Sequence, residues 1–565
     1  MVLSLAGCTQ KESRSSRQTT KEDGTESTET EDTETSGSES TSSESSETSE
    51  SETSATETTV NTEPLKFTHD LSSVSLSNQA TDRGYGERMT GSTGSDDDED
   101  EDEVDIIRLT EHCDVYTIPD QKYAQMNEKM EEIFGALKKK YDAIYDTKVS
   151  SFADIVKAIP EDEEWLWESM EIDSRAYISR SDSKVLSFSV ESYTHFGMDW
   201  EEETAYYNFD PVTAEPVSLE KIVTDKQTLA DIILSFCMPS TSENYNEDEA
   251  EYNVVLTTLS ERVRTGDLSK IDFGLTQNDL YLYQEGDSAG ELTPYRCIIP
   301  ALAFGDCLDL SYFTATTEYY TLSSDMSFYI TWDFDEDGTV DTLHIENEST
   351  GYDVAMKIYY NDQETPYEDY YDSEVTSIMD FYVVHNDDGF CLYILFSKED
   401  VPVYPLHIFH LKDGEFEYVG PFGEFDQYPY DPTCVRLQQR SDLLGTGAMV
   451  LTCSLTGNKG FPKETSLFYE KDEIVVTKKD MSIPQTDADG NPNGRTVTIP
   501  AGTTVRYFGV DIVTERAFFS TLNQDESKNI EFTMPAKRFS HGIDYEIELN
   551  GEYSQDLFIG MNYIV

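Results

Sequence analysis

The sequence predicts an α+β N-terminal domain followed by all-β units, carried behind a long disordered tether. Three observations lead there. Most of the first hundred residues are Ser, Thr, Glu and Gly, which bury too little apolar surface to offset the entropy of ordering. One long segment beyond them repeats apolar residues every three or four positions, the helical period; most later segments alternate apolar with polar, the strand period. Tyr (35) and Phe (27) are plentiful, which also favours strands. The formal net charge of the 565 residues is −73. That balance argues against nucleic acid as a partner and favours cations or basic proteins.

The opening MVLSLAGCTQ contains Leu5-Ala6-Gly7-Cys8. This tetrapeptide resembles the lipobox of bacterial lipoproteins, in which the cysteine is acylated and becomes the mature N-terminus. The resemblance implies that residues 1–8 are the end of a truncated signal peptide whose start lies upstream, and that Cys8 is a membrane anchor. It places the protein on the extracellular face of the bacterial cell membrane. Residues 9–104 are then a tether of about 55 Å mean span, stretched further by the like charges of Asp96 to Glu103. No run approaches the roughly 18 apolar residues of a membrane helix. The other seven cysteines, Cys113, Cys237, Cys297, Cys307, Cys391, Cys434 and Cys453, are odd in number and lack a CxxC, so they read as scattered buried thiols.

Between 105 and 320 the pattern is mixed. Residues 118–147 read as a helix, with Pro119 in its first turn and Met126, Met130, Phe134, Leu137, Tyr141 and Ile144 along one face. Residues 175–197 alternate like a strand, and 205–219 read as a hairpin turning at Asp210-Pro211. A second helix is expected over 218–236. The run Arg180-Ser181-Asp182-Ser183-Lys184, then Tyr207-Asn208-Phe209-Asp210, and later FGLTQNDLYLYQEGDSAGELTPYRCIIPALAFGDCL, resemble an extracellular domain family of unknown general function. The family occurs in the lysozyme-sensing anti-sigma factor RsiV and in the N-terminal part of the peptidoglycan deacetylase PdaC. Its Gly-Gly-Ala-His-Gly-like turn corresponds here to Tyr193-Thr194-His195-Phe196-Gly197, of which His195 and Gly197 match. A lone histidine at a strand end is more often structural than a ligand.

The unit from 321 to 478 is expected to hold β-hairpin repeats. Its sharpest motif is Asp333, Asp335, Asp337, Gly338, Asp341, a D-x-D-x-D-G-x-x-D spacing whose carboxylates converge on a hard cation such as Ca²⁺, with Thr339 adding its carbonyl. An EF-hand needs Glu at the twelfth position; His344 stands there, and strands rather than helices flank the loop. The loop is similar to the acidic hairpin loops of FG-GAP, integrin-type β-propeller repeats. Weaker copies follow, with Asn386, Asp388 and Gly389, then Asp442 and Gly447, at a blade-like period. These copies have lost most of their carboxylates, so a single Ca²⁺ site is expected. His407 and His410 lie three apart on a strand and point to opposite faces, which removes them as a metal pair.

The last unit, 479–565, carries Ile499-Pro500-Ala501-Gly502-Thr503 at a strand entry and resembles small bacterial SH3-like barrels. Asp487 and Asp489 fall short of a cation site. No nucleophile elbow, zinc-protease helix, phosphate loop or dinucleotide fingerprint is present in the sequence. The expected function is non-catalytic: a lipid-anchored surface protein binding a lysozyme-like basic protein or a peptidoglycan-type glycan. An envelope enzyme acting on peptidoglycan, or a spacer with no ligand, are the alternatives.

Overall fold

The structure is a computed structural model. It describes residues 64–77 and, from 108 to 559, all but 159–168, 198, 237–247, 285–294, 324–328, 348–355, 362, 366–374, 399–402, 413, 442–446, 467, 487–491, 512, 523–528 and 542–543. Cys8, residues 9–63 and 78–104 of the expected tether with its acidic run, and Cys237 lie outside the described residues, as do Asp442 and the turn at Asp487. Among the described residues no helix is long and apolar enough to cross a membrane.

The first sheet runs in the order β1 (Thr68–Ser77), β2 (Arg108–Thr117), β3 (Ser169–Ser181), β4 (Leu186–Phe196), β5 (Asp199–Phe209). The β2–β3 pair is parallel, which demands a long crossover. Helix α1 (Ala124–Ala158) supplies it. A 3-10 turn whose N-cap is Asp120 precedes α1, and Met126, Met130 and Phe134 bury against Ala176, Ile178, Phe188 and Val190. The helix runs eleven residues past its expected end at Thr147, and Phe152 joins Leu109, Met170 and Ile172 in a second cluster.

The expected tether boundary needs correcting, because β1 lies inside 9–104 and pairs antiparallel with β2 along ten residues. Its Ser-rich composition hides it. Leu65 is buried ahead of it, Lys66 pairs with Asp431 at 2.9 Å, and His69 bonds Asp114 at 2.8 Å. The expected hairpin at Asp210 also differs. The Asp210 side chain accepts the N–H groups of Val212 and Thr213, so the turn forms, but it returns to a single bridge between Phe209 and Pro216. The long hairpin is β4–β5, in register over eleven pairs.

The expected second helix is two pieces, α2 (Leu219–Ile222) and α3 (Lys226–Phe236). Asp225 breaks it by accepting the N–H groups of Gln227 and Thr228 as an N-cap. With α4 (Asp248–Thr265) and the sheet β6 (Asp272–Leu275), β7 (Asp279–Gln284), β8 (Tyr295–Pro300), they enclose Leu229, Ile233, Leu256, Leu259, Leu280 and Ile299.

Three antiparallel meanders follow. The first contains β10 (Tyr329–Trp332), β11 (Asp341–Asn347), β12 (Met356–Tyr360) and β13 (Gln363–Thr365). The second contains β14 (Val375–Asn386), β15 (Gly389–Lys398), β16 (Leu406–Lys412) and β17 (Glu415–Phe422), with β9 (Tyr320–Ser323) on the outer edge of β14. The third is built on β18 (Glu424–Phe425), β19 (Val435–Ser441), β20 (Gly447–Ser454), β21 (Lys463–Glu464) and β22 (Phe468–Thr477).

Consecutive meanders share cores, and the strand period explains how. On β15, Phe390, Leu392, Ile394 and Phe396 face the first meander, whereas Cys391 and Tyr393 face Val435, Leu437 and Leu451 of the third. Gly460 comes so close to this strand that a Cβ there would meet the Tyr393 hydroxyl at 2.6 Å and Cys391 Sγ at 2.7 Å. The described sheets close no propeller ring.

The expected boundary at 478/479 also falls away. Strand β22 pairs with β25 (Thr504–Asp511), so its sheet continues through β23 (Met481–Thr486), β24 (Pro492–Ile499), β26 (Arg516–Thr521), β27 (Glu531–His541) and β28 (Asp544–Leu549). Met449 and Val475 from before the boundary pack with Tyr507, Phe519 and Phe532 from after it.

Candidate functional site

The acidic motif forms the loop 333–340 between β10 and β11, whose ladder ends at the pair Trp332 and Asp341. Strands flank it, as the sequence implies. Gly338 takes a φ of 84°, which is open to glycine at no steric cost, and Glu336 a φ of 58°. Asp333 accepts the N–H groups of Asp337 at 3.0 Å and Gly338 at 2.9 Å, so backbone dipoles offset part of the crowded charge. Asp337 turns to the N–H of Thr339, at 2.7 Å.

Asp341 is 5% exposed and is held by the Phe334 N–H at 3.0 Å, the Tyr360 hydroxyl at 2.9 Å and Asn361 Nδ2 at 2.6 Å. Burial, and then the bond to this carboxylate, push the Tyr360 hydroxyl above its ordinary value. Carboxylate oxygens of Asp333, Asp335 and Asp341 lie within 4.8 Å of one another. Three of the five expected ligands therefore converge, without the carboxylate of Asp337. This all-oxygen donor set fits a hard divalent ion that takes six to eight oxygens, the remainder from backbone and water.

The second copy of the motif is spent on packing. Asn386, buried, donates to the carbonyl of Leu455 at 2.8 Å, and Asp388 accepts the Lys459 N–H at 2.6 Å. Both bonds pin the β14–β15 turn to the third meander. His407 and His410 are buried on opposite faces of β16; His410 Nε2 lies 2.9 Å from the Asp388 carbonyl and His407 packs against Phe396.

The Arg180–Lys184 motif is a structural hub. Arg180 and Asp182 are buried together with Nη2 to Oδ2 at 2.6 Å. Arg180 also donates to the carbonyls of Thr276 and Tyr312, while Asp182 accepts the N–H groups of Lys184 and Val185. The thiols divide. Cys113, Cys307, Cys391 and Cys453 are free and buried, whereas Cys297 and Cys434 are each disulfide-bonded, which corrects the reading of all seven as thiols. Burial pushes the Cys307 thiol up to about 11 and the Cys391 thiol up to about 12, so neither is a ready nucleophile.

Sequence reasoning missed the outer face of the first sheet, opposite α1. Register sets Asp173 beside Tyr193 and Glu202, and Glu171 beside His195 and Trp200. Trp200 is 58% exposed. Its ring lies parallel to that of Tyr193, 3° between planes and 5.1 Å between centroids, with His195 tilted at 5.2 Å. The Tyr193 hydroxyl donates to Glu171 at 2.8 Å.

Asp173 is 1% exposed; its Oδ2 accepts Arg175 Nε at 2.8 Å and its Oδ1 makes no hydrogen bond. Burial raises the Asp173 pKa, against the pull of Arg175 and His112. The far end of the face is covered where Tyr206 stacks on Tyr283 at 3.8 Å. One signal existed in the sequence. In DWEEETAYYNF the tryptophan stands among acids, a run whose charge keeps it at the surface.

No known protein family matches the sequence, and no curated protein does. Among solved structures, the chain is similar to a member of the DUF3298 family from Bacteroides fragilis, at 16% identity and a TM-score of 0.24, covering 36% of this chain and 85% of that one. It is likewise similar to a DUF3298 family protein from Pseudomonas aeruginosa, at 14% identity and a TM-score of 0.24, covering 45% and 98%. Likeness at these scores carries no weight for fold or function.

Proposed function

We propose that this is a non-catalytic, lipid-anchored protein of the bacterial cell surface that captures a ligand of the cell envelope. The ligand is a basic wall-active protein of the lysozyme kind or a peptidoglycan-type glycan. Cys8 is the anchor and the acidic tether the spacer. The observation that carries the reading is the outer face of the first sheet, where Trp200, stacked on the half-buried Tyr193, stands in solvent among carboxylates on a paired ladder. Rigid placement lowers the ordering cost of binding. The net charge of −73 speeds the encounter with any cationic partner.

In this reading Asp333, Asp335 and Asp341 hold one Ca²⁺, with Asp337 and the Thr339 carbonyl in the outer positions, and the FG-GAP-like meanders and SH3-like C-terminal strands stiffen the projection. The test is capture of purified wall fragments and of lysozyme by the full chain, in low and in high salt. Capture that survives high salt is expected. Turnover of the fragments overturns the non-catalytic reading, and loss of all capture in salt reduces the protein to a charged spacer.

A further inference from the structure

We infer that the open end of the first sheet's outer face is a binding site for a glycan of amino sugars bearing free amino groups. The inference rests on the envelope-capture reading above and narrows its ligand. Three strands contribute to the face in register, and the side chains concerned are Glu171, Arg175, Glu191, Tyr193, Trp200 and Glu202. The indole presents one face to solvent while the phenol backs the other, so the surface is flat and held in place before any ligand arrives. Such a face suits the C–H side of a pyranose ring, whose slightly positive hydrogens meet the negative ring quadrupole.

Charge then selects among sugars. Among the described side chains, Glu171, Glu191 and Glu202 share this face with Trp200, while Arg175 is already engaged with the buried Asp173. An ammonium group on a sugar stacked over Trp200 finds carboxylates within the same strand pair and an aromatic face beneath it. Neutral glycans forgo that attraction and polyanionic ones are repelled. An extended peptide is the poorer candidate for two reasons. The β5 edge reads Asp199-Trp200-Glu201-Glu202-Glu203, a charged edge of the kind that discourages strand addition. The described face also offers a flat surface rather than the desolvated pocket that protein hot spots fill.

The test is isothermal titration of the full chain with a glucosamine hexamer, its fully N-acetylated counterpart and hexalysine, on the parent, Trp200→Ala and Trp200→Phe. Trp200 is exposed, so both variants keep the fold. The glucosamine hexamer is expected to bind most tightly, at least tenfold more weakly to Trp200→Ala, and nearly as well to Trp200→Phe. Equal binding by parent and Trp200→Ala overturns the inference. So does hexalysine binding as tightly with the same dependence on Trp200, which makes the face a basic-peptide site. Wall fragments retained in high salt by a protein that ignores all the sugars sink this inference alone. Failure to retain wall fragments at all sinks the capture reading beneath it.

Discussion

Glu111 projects from β2 toward α1, 2% exposed, hydrogen-bonded to Asp142 with Lys138 and Asp146 close by and Cys113 on the same strand. Burial, then the Asp142 neighbour, raise its pKa from the usual 4.5 to about 8, with Lys138 opposing. The folded state thus keeps a proton that the unfolded chain releases. Stability is highest below pH 4.5 as far as this group decides, falls as pH rises toward 8, and levels off above. Glu111→Gln is expected to flatten that slope and to add on the order of 1–2 kcal/mol at pH 8, measured by denaturant melts at pH 5 and pH 8. At the acidic loop, Ca²⁺ well above its Kd is expected to raise the melting temperature by about 2–4 °C, and Asp333→Asn to abolish the rise.

The two sites differ in how readable they were. Asp333, Asp335 and Asp341 lie within nine residues, so spacing alone brings them together. Glu111 meets Asp142, and Tyr193 meets Trp200, through strand register and helix docking that no local pattern encodes.

At the level of single elements, β1 matters most. It covers the edge of β2 and brings Phe67 against Tyr116 and Tyr430, with Lys66 also donating to Thr433. Removing residues 1–63 is expected to leave the melting temperature within about 1 °C, whereas removing 1–104 lowers it by several degrees, because an apolar cluster opens and the β2 edge is bared. Differential scanning calorimetry of the two truncations decides it. Composition hid this strand: three apolar residues, Leu71, Val74 and Leu76, sit among serines that continue the tether's bias. The helix over 118–147 was legible since its six apolar positions kept the helical period, and its extension was not, since Phe152 lies two turns beyond the last of them. Strand β5 was hard to see because glutamate is poor in strands, yet β4 supplies its whole register.

Across the described residues, neighbouring sheets share cores. The repeat spacing of the glycines pointed to successive meanders, and three are there. What spacing cannot say is whether they close a ring or where the last one stops. The β22–β25 ladder and the contacts of Met449 and Val475 make residues 447 to 559 one cooperative body. Limited proteolysis is therefore expected to yield no independent 479–565 fragment; a nick in the 487–491 segment leaves both pieces associated on size exclusion until denaturant separates them.

The doubly buried strand β15 carries a liability. Gly389 to Phe396 is eight residues with no charge and no proline, rich in aromatic and branched side chains, the composition from which fibrils grow. Asp387 and Asp388 before it, and Lys398 to Asp400 after it, act as gatekeepers by placing repulsion at both ends. Heat that frees this segment from its two neighbours will turn the protein fibrous faster than it refolds, and neutralising those flanking acids will hasten it.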